Sequence, residues 1–203
     1  RILAELAPGE PEVHGLVALM EIQASRMSAR VGPQGEPILL PDQDRARWDH
    51  VLVGRGLAAL DRAGKIGGGR GPYVVQAMIA ACHARARTAE ETEWERIAGL
   101  YDELSRLSPS PVVELNRAVA ISMAFGPAAG LELVDQLTSE PSLKFYHYLP
   151  GVRGDFLLKL GRRDEARVEF ERAASLTRNE RERELLLERA QLCVDAPDRV
   201  PRS

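Results

Sequence analysis

The densest polar run in the chain is Asp42-Gln-Asp-Arg-Ala-Arg-Trp-Asp49. Asp42 or Asp44 can accept the free amides at the start of a helix. Arg45 and Arg47 can reach carboxylates through charge-assisted hydrogen bonds, and Trp48 can anchor the helix that follows, with Asp49 beside it. Two readings of this run stand side by side: a cap with a structural ion-pair network, and a partner-binding site. Tyr73 and Gln76 open a second helical stretch, and Asn116 and Arg117 sit inside a third. These side chains suit the inner, concave surface of a helical-repeat domain, where a peptide or protein is gripped. For Asn116 and Arg117, buried structural bonding is an equal alternative.

Other chemistry is tested and set aside. His14, His50, His83 and His147 have no pairing at metal-ligand spacing. His83 follows Ala80-Ala81-Cys82 and is expected to be a hydrogen-bonded structural histidine. Ala63-Gly-Lys-Ile66 lacks the upstream glycine and the Ser or Thr of a phosphate-binding loop, and follows a helical pattern instead of a strand. Gly67-Gly-Gly-Arg-Gly71 could hold an anion on free amides, but reads better as a flexible linker. There is no Gly-x-Ser-x-Gly elbow. No catalytic residue, metal ligand or cofactor is assigned. Cys82 and Cys193 sit in apolar helical contexts as small buried hydrophobes.

The elements that position these residues are helical. Of 203 residues, 44% are hydrophobic but only 5% aromatic, with abundant Ala and Leu, which favours close-packed helices over a β-sandwich. The net charge of −3 lacks the basic excess of a phosphate-gripping domain, so no direct nucleic-acid contact is expected. Arg162, Arg163, Arg167 and Arg172 alternate with Asp164, Glu165, Glu169 and Glu171 as a paired, solvated helix face. No membrane-spanning run or signal peptide is visible, and a cytoplasmic location is expected. The chain starts in a helical pattern at Arg1-Ile-Leu-Ala-Glu-Leu6 without an initiator Met, as an excised piece of a longer protein would.

Apolar spacing predicts helices over 11–29, from the Asp42–Asp44 cap to about Ala63, from Pro72 to about Arg87, around Trp94–Leu104, over Pro109–Gly126 and over 127–138. In the second of these, Trp48, Val51, Leu52, Gly56, Ala59, Leu60 and Ala63 form the expected buried stripe, and Gly56 within it suggests a close helix crossing. A hairpin follows at 142–160 and 163–177, then a capping helix at 179–194 with Leu186, Leu187, Ala190 and Cys193 inward. The Pro109–Gly126 helix is apolar on nearly every side, which predicts neighbours on nearly every side. Ile38-Leu39-Leu40, inside a Pro- and Gly-rich loop at 30–43, should be pinned as an extended segment or short hairpin. With Gly154 as the eighth position of a 34-residue tetratricopeptide repeat, Gly161, Ala166, Phe170 and Ala173 fall on its small, aromatic and alanine positions. The expected fold is therefore all-α: antiparallel helical hairpins stacked as a tetratricopeptide-like right-handed solenoid. An irregular N-terminal helical part covers 1–70, degenerate repeats and a capping helix cover 71–194, and a disordered tail covers 195–203, all in one continuous unit.

Several runs together resemble one family. They are Asp42–Asp49, Gly71-Pro-Tyr-Val-Val-Gln-Ala-Met-Ile-Ala-Ala81, Ser108-Pro-Ser-Pro-Val-Val-Glu-Leu-Asn-Arg-Ala-Val-Ala120, Gly126-Pro-Ala-Ala-Gly-Leu131, Arg153-Gly-Asp155 and Leu160-Gly-Arg-Arg-Asp-Glu-Ala166. In order and spacing they are similar to the C-terminal extension of bacterial extracytoplasmic-function sigma factors often encoded beside DGPF (YCII-like) proteins. Cys82-His83 and Lys65-Ile-Gly-Gly-Gly69 depart from that pattern as local variation in helix and linker. The resemblance implies a non-enzymatic, tetratricopeptide-like regulatory region of an RNA polymerase sigma subunit. Its implied partners are the sigma core regions, RNA polymerase or a DGPF/YCII-like protein.

Two further functions remain open. One is a freestanding peptide-binding adaptor, with a groove formed by the helices beginning at Tyr73, Val112 and Phe145. The other is an enzyme or small-molecule sensor, which a deep pocket joining Trp48, Tyr73 and His83 would favour.

Overall fold

The computed structural model describes residues 2–33 and 35–195, so the expected tail beyond Asp195 lies outside the described residues. All regular structure among them is helical, apart from one isolated bridge between Val31 and Pro37. The all-α expectation therefore holds. The chain divides into two compact units, residues 1–120 and 121–203.

The first unit holds α1 (Ile2–Leu6), α2 (Pro11–Ser25), α3 (His50–Ile66), α4 (Pro72–Arg85), α5 (Trp94–Leu107) and most of α6 (Pro111–Phe125). Its core joins Ala18 and Ile22 of α2 to Ala59, Leu60 and Ala63 of α3 and to Val74, Ala77 and Ala81 of α4. Small side chains allow α2 to lie close to both partners. A Cβ on Gly15 would come within 2.7 Å of the Val74 backbone, and one on Gly56 within 2.6 Å of Ile22. The close crossing expected at Gly56 is thus real, and Gly15 marks a second one.

The predicted 11–29 helix stops at Ser25. The Ser25 hydroxyl turns back onto the Ile22 carbonyl at 2.7 Å, and its own carbonyl accepts the Asp49 amide at 2.9 Å, so Met27–Ala29 continues only as a 3₁₀ turn. The loop that follows folds as the expected short hairpin: Gly32 N–H donates to Glu36 O at 2.9 Å and Ile38 N–H to Arg30 O at 2.9 Å. Leu40 pins it against Ala29, Trp48 and Val53, while Leu39 stays exposed.

The second unit contains the end of α6, α7 (Pro127–Leu137), α8 (Tyr148–Lys159), α9 (Arg163–Leu176) and α10 (Glu180–Asp195). The helix expected over 142–160 begins only at Tyr148, because Glu140 caps a separate 3₁₀ turn at Pro141–Leu143 by accepting the Ser142 amide at 3.1 Å. The α8–α9 hairpin packs a small residue directly on an aromatic one. Phe170 is fully buried, and a Cβ on Gly154 would come within 2.8 Å of its ring. Ala166 and Ala173 are fully buried as well.

Two apolar expectations are corrected. In α6, Leu115, Ala118 and Ala120 are buried, but Val112, Met123 and Phe125 are exposed, so its apolar surface exceeds its covered surface. In α10, Ala190 and Cys193 are buried while Leu187 faces outward, because the stripe runs along Leu186, Ala190 and Cys193.

Candidate functional site

Neither Asp42 nor Asp44 caps α3. Asp44 accepts the Ala46 amide at 2.9 Å and caps a 3₁₀ turn at Arg45–Arg47. Asp49 is the cap of α3, accepting the amides of Val51 at 2.9 Å and Leu52 at 3.1 Å. Trp48 therefore precedes the helix whose buried stripe was to include it, and Val51, expected inside, is 70% exposed. Asp42 is exposed and caps nothing.

The two arginines grip backbone carbonyls and not carboxylates. Arg45 donates to the carbonyls of His83 and of Ala86 (2.9 Å), which close the C-terminal end of α4, and to Thr92 Oγ1 at 3.1 Å. Arg47 donates to the Ser28 carbonyl, and the Ser28 hydroxyl returns the bond to the Arg47 carbonyl at 2.6 Å. The run thus ties the ends of α2, α3 and α4 together.

Trp48 is buried, with Arg45 over its ring at 5.4 Å and Arg26 at 5.6 Å. Arg26 was not foreseen, because no local spacing links it to Trp48. Burial, then the charges of Arg30 and Arg45, lowers the Arg26 pKa to about 10. Burial also lowers Arg45, with Glu90 and Glu91 working against the shift. His83 is buried with its ring edge against Trp94 at 5.2 Å. Its Nδ1 has no hydrogen-bond partner, which corrects the expected hydrogen-bonded histidine. Burial, then Arg26 and Arg45, depresses its pKa to about 4, so the ring is neutral at neutral pH.

The anion role considered for the glycine run is taken by the chain itself. Glu12 of α2 accepts the amides of Tyr73 at 2.8 Å and Val74 at 3.0 Å, capping α4 from 61 residues away. A Cβ on Gly71 would lie 2.3 Å from the Glu12 carboxyl carbon, so a side chain there would push the carboxylate away from the cap. The Tyr73 side chain is 45% exposed, and Gln76 donates back to Pro72 O at 3.2 Å within its own helix.

Asn116 and Arg117 separate in role. Arg117 pairs with Glu114 at 2.9 Å and with Asp102 of α5 at 3.8 Å, whereas Asn116 is exposed.

In the second unit, Arg153 bonds Asp135 of α7 and Glu169 of α9, both at 2.8 Å. Burial alone would lower its pKa, but those carboxylates outweigh it and hold it above the usual arginine value. Asp155 pairs with Lys159 at 2.7 Å and with Arg189 of α10, whose guanidinium covers Phe170 at 4.4 Å. Arg153-Gly154-Asp155 therefore touches every other helix named for this unit after α6. Arg162, just before α9, pairs with Glu165 (2.7 Å), and Arg167 with Glu171 (3.9 Å), as the charge alternation predicts, but Glu169 leaves the expected solvated face: it is buried, held by Arg153 of α8.

Among the described residues no three His, Cys, Asp or Glu side chains gather to hold a metal ion, and no helix is long and apolar enough to cross a membrane. Cys82 and Cys193 are buried free thiols whose pKa burial raises. A cleft of about 520 Å³ opens in the first unit, but Trp48, Tyr73 and His83 do not line it.

Residues 1–64 match a family of unknown function, DUF6596. The chain is 48% identical over 179 residues to an uncharacterized protein of Rhizobium meliloti (strain 1021), a stretch covering 88% of this chain. It spans 42% of that relative's length. No solved structure matches the chain.

Proposed function

We propose that this chain is the regulatory, protein-binding region of an extracytoplasmic-function sigma factor. It acts in the cytoplasm by contacting the sigma core regions, RNA polymerase or a partner such as a DGPF/YCII-like protein, and it carries no catalysis of its own. Its hairpins are read as tetratricopeptide-like repeats of a right-handed solenoid. The observation that carries this reading is the use made of the residues behind the family resemblance. Arg45, Gly71, Arg117, Arg153, Gly154 and Asp155 all fasten or admit neighbouring helices. A signature spent on joints, with Tyr73 and Asn116 left at the surface, suits a scaffold that presents a face to a protein. The Rhizobium relative, of which the chain spans 42%, has length for sigma regions besides the matched stretch.

The test is transcription in vitro by the full-length sigma factor with and without this region, from its own promoter. A changed promoter-specific activity, or a partner lost on deletion, is expected. Equal activity with every partner retained overturns the reading.

A freestanding peptide-binding adaptor is the second reading. Phe145 at 74% exposure and Tyr148 at 50% favour it, as aromatic anchors for a peptide. The coding sequence upstream of Arg1 separates the two, since an upstream region without sigma regions leaves only the adaptor.

A further inference from the structure

We propose that the cleft between α3, the glycine loop and α4 binds a small amphipathic anion, a carboxylate or phosphate head on a short apolar body. This site is independent of the sigma-factor reading.

The cleft encloses about 520 Å³, within the range of small-molecule sites. Its floor is apolar: Leu60, Ala63 and Val74 are buried core residues, and Met78 packs beside them. Its lining carries four cations, Lys65, Arg70, Arg85 and Arg96, against one carboxylate, Asp61. The whole chain has a net charge of −3, so this is a local reversal of sign.

Two of the cations are held in place. Arg70 pairs with Glu103 at 3.2 Å and reaches Met78 Sδ at 3.7 Å, and Arg96 pairs with Glu93 at 3.2 Å. Among the described residues neither Lys65 nor Arg85 is held in an ion pair, in contrast to Arg70 and Arg96, so their charge is available to a ligand. Lys65 also stands in the last turn of α3, where it offsets the carbonyl end of that helix.

The backbone keeps the site open. Gly67, Gly68 and Gly69 take φ of +77°, +89° and +98°, a path available to residues without a side chain. Gly64 lines the cleft, and a Cβ added there would meet nothing within 4 Å. A half-open cleft with an apolar floor and cationic lining fits an amphipathic acid better than a free inorganic anion.

The test uses 8-anilinonaphthalene-1-sulfonate, titrated by fluorescence into the 203-residue chain, with octanoate, octyl phosphate and octanol as competitors. Saturable binding displaced by octanoate or octyl phosphate but not by octanol is expected. Displacement by octanoate alone identifies a carboxylate site, and by octyl phosphate alone a phosphate site. Gly64→Leu fills the cleft without changing charge and favours the helix, and Lys65→Glu with Arg85→Glu reverses its free cations. Each should weaken the probe by about tenfold or more while far-ultraviolet circular dichroism stays unchanged. No saturable binding by the parent chain, or affinity unchanged in Gly64→Leu, overturns the proposal. Because this readout is binding to the chain itself, it can fail while the transcription test succeeds, and the reverse.

Discussion

The carboxylate of Glu12, near the start of α2, accepts the amide of Tyr73 at 2.8 Å and so closes the first turn of α4. Two helix starts are thereby locked by one side chain. Glu12→Ala should cost about 1–2 kcal/mol, read from urea unfolding. Gly71→Ala should cost a similar amount in the parent chain, since its methyl would displace that carboxylate. In the Glu12→Ala background it should cost little, because the Gly71 backbone is extended and admits alanine. Additive losses would contradict the arrangement.

Arg45 closes the other end of the same helix. Arg45→Met keeps the apolar stem over Trp48 but abandons the carbonyls of His83 and Ala86. The expected loss is about 1–3 kcal/mol, with amide exchange accelerating first in the last turn of α4 and in Thr92–Trp94. Arg45→Lys should recover only part of it, since an ammonium cannot match the planar fork of guanidinium donors.

Gly154→Ala should destabilise the second unit by about 1–3 kcal/mol through overpacking against Phe170. Phe170→Leu in the same chain should relieve part of that cost, so the pair couples in a double-mutant cycle. Replacing fully buried Ala166 or Ala173 by a bulky residue should cost a comparable amount. Neutral thermal melts for all of these would contradict the hairpin packing.

His83 gives the protein an acid-sensitive point. Its folded pKa of about 4 lies below the ordinary 6.5, so between those values the unfolded chain binds a proton that the folded chain refuses. This contribution is fully present above pH 6.5 and is lost as the pH falls toward 4. The amount at stake is roughly 3 kcal/mol. Unfolding of the parent chain and of His83→Phe, each at pH 7.0 and 4.5, isolates it from carboxylate titration. The variant should lose less stability over that interval, and an equal loss would refute the assignment.

Much of the local architecture was legible because it is local. Helix spacing, the 30–43 hairpin and the Gly154–Phe170 contact all involve residues close in sequence, and the Gly56 crossing was announced by a glycine inside a buried stripe. The failures share one physical cause. Glu12 and Tyr73 are 61 residues apart, and nothing near either announces the other. Arg45 was expected to meet carboxylates, but it found the unsatisfied carbonyls at the end of α4, which no charge pattern displays. Trp48 was placed in a helix because its spacing fits one, whereas Asp49 starts that helix one residue later. The exposed apolar residues of α6 show the same limit, since periodicity reports which side chains could be covered and not which ones are.

The joints around α2 also bear on the chain's tolerance to cutting. That helix packs on α3 and on α4, and Glu12 and Arg45 brace the two ends of α4 independently of the Gly67–Gly69 connection. For the packing of α2, α3 and α4 the Gly67–Gly69 stretch is therefore a tether and not a brace. Cleaved there, the two fragments would still find each other through α2, and the same loop is where new termini could be opened by circular permutation without dismantling the unit.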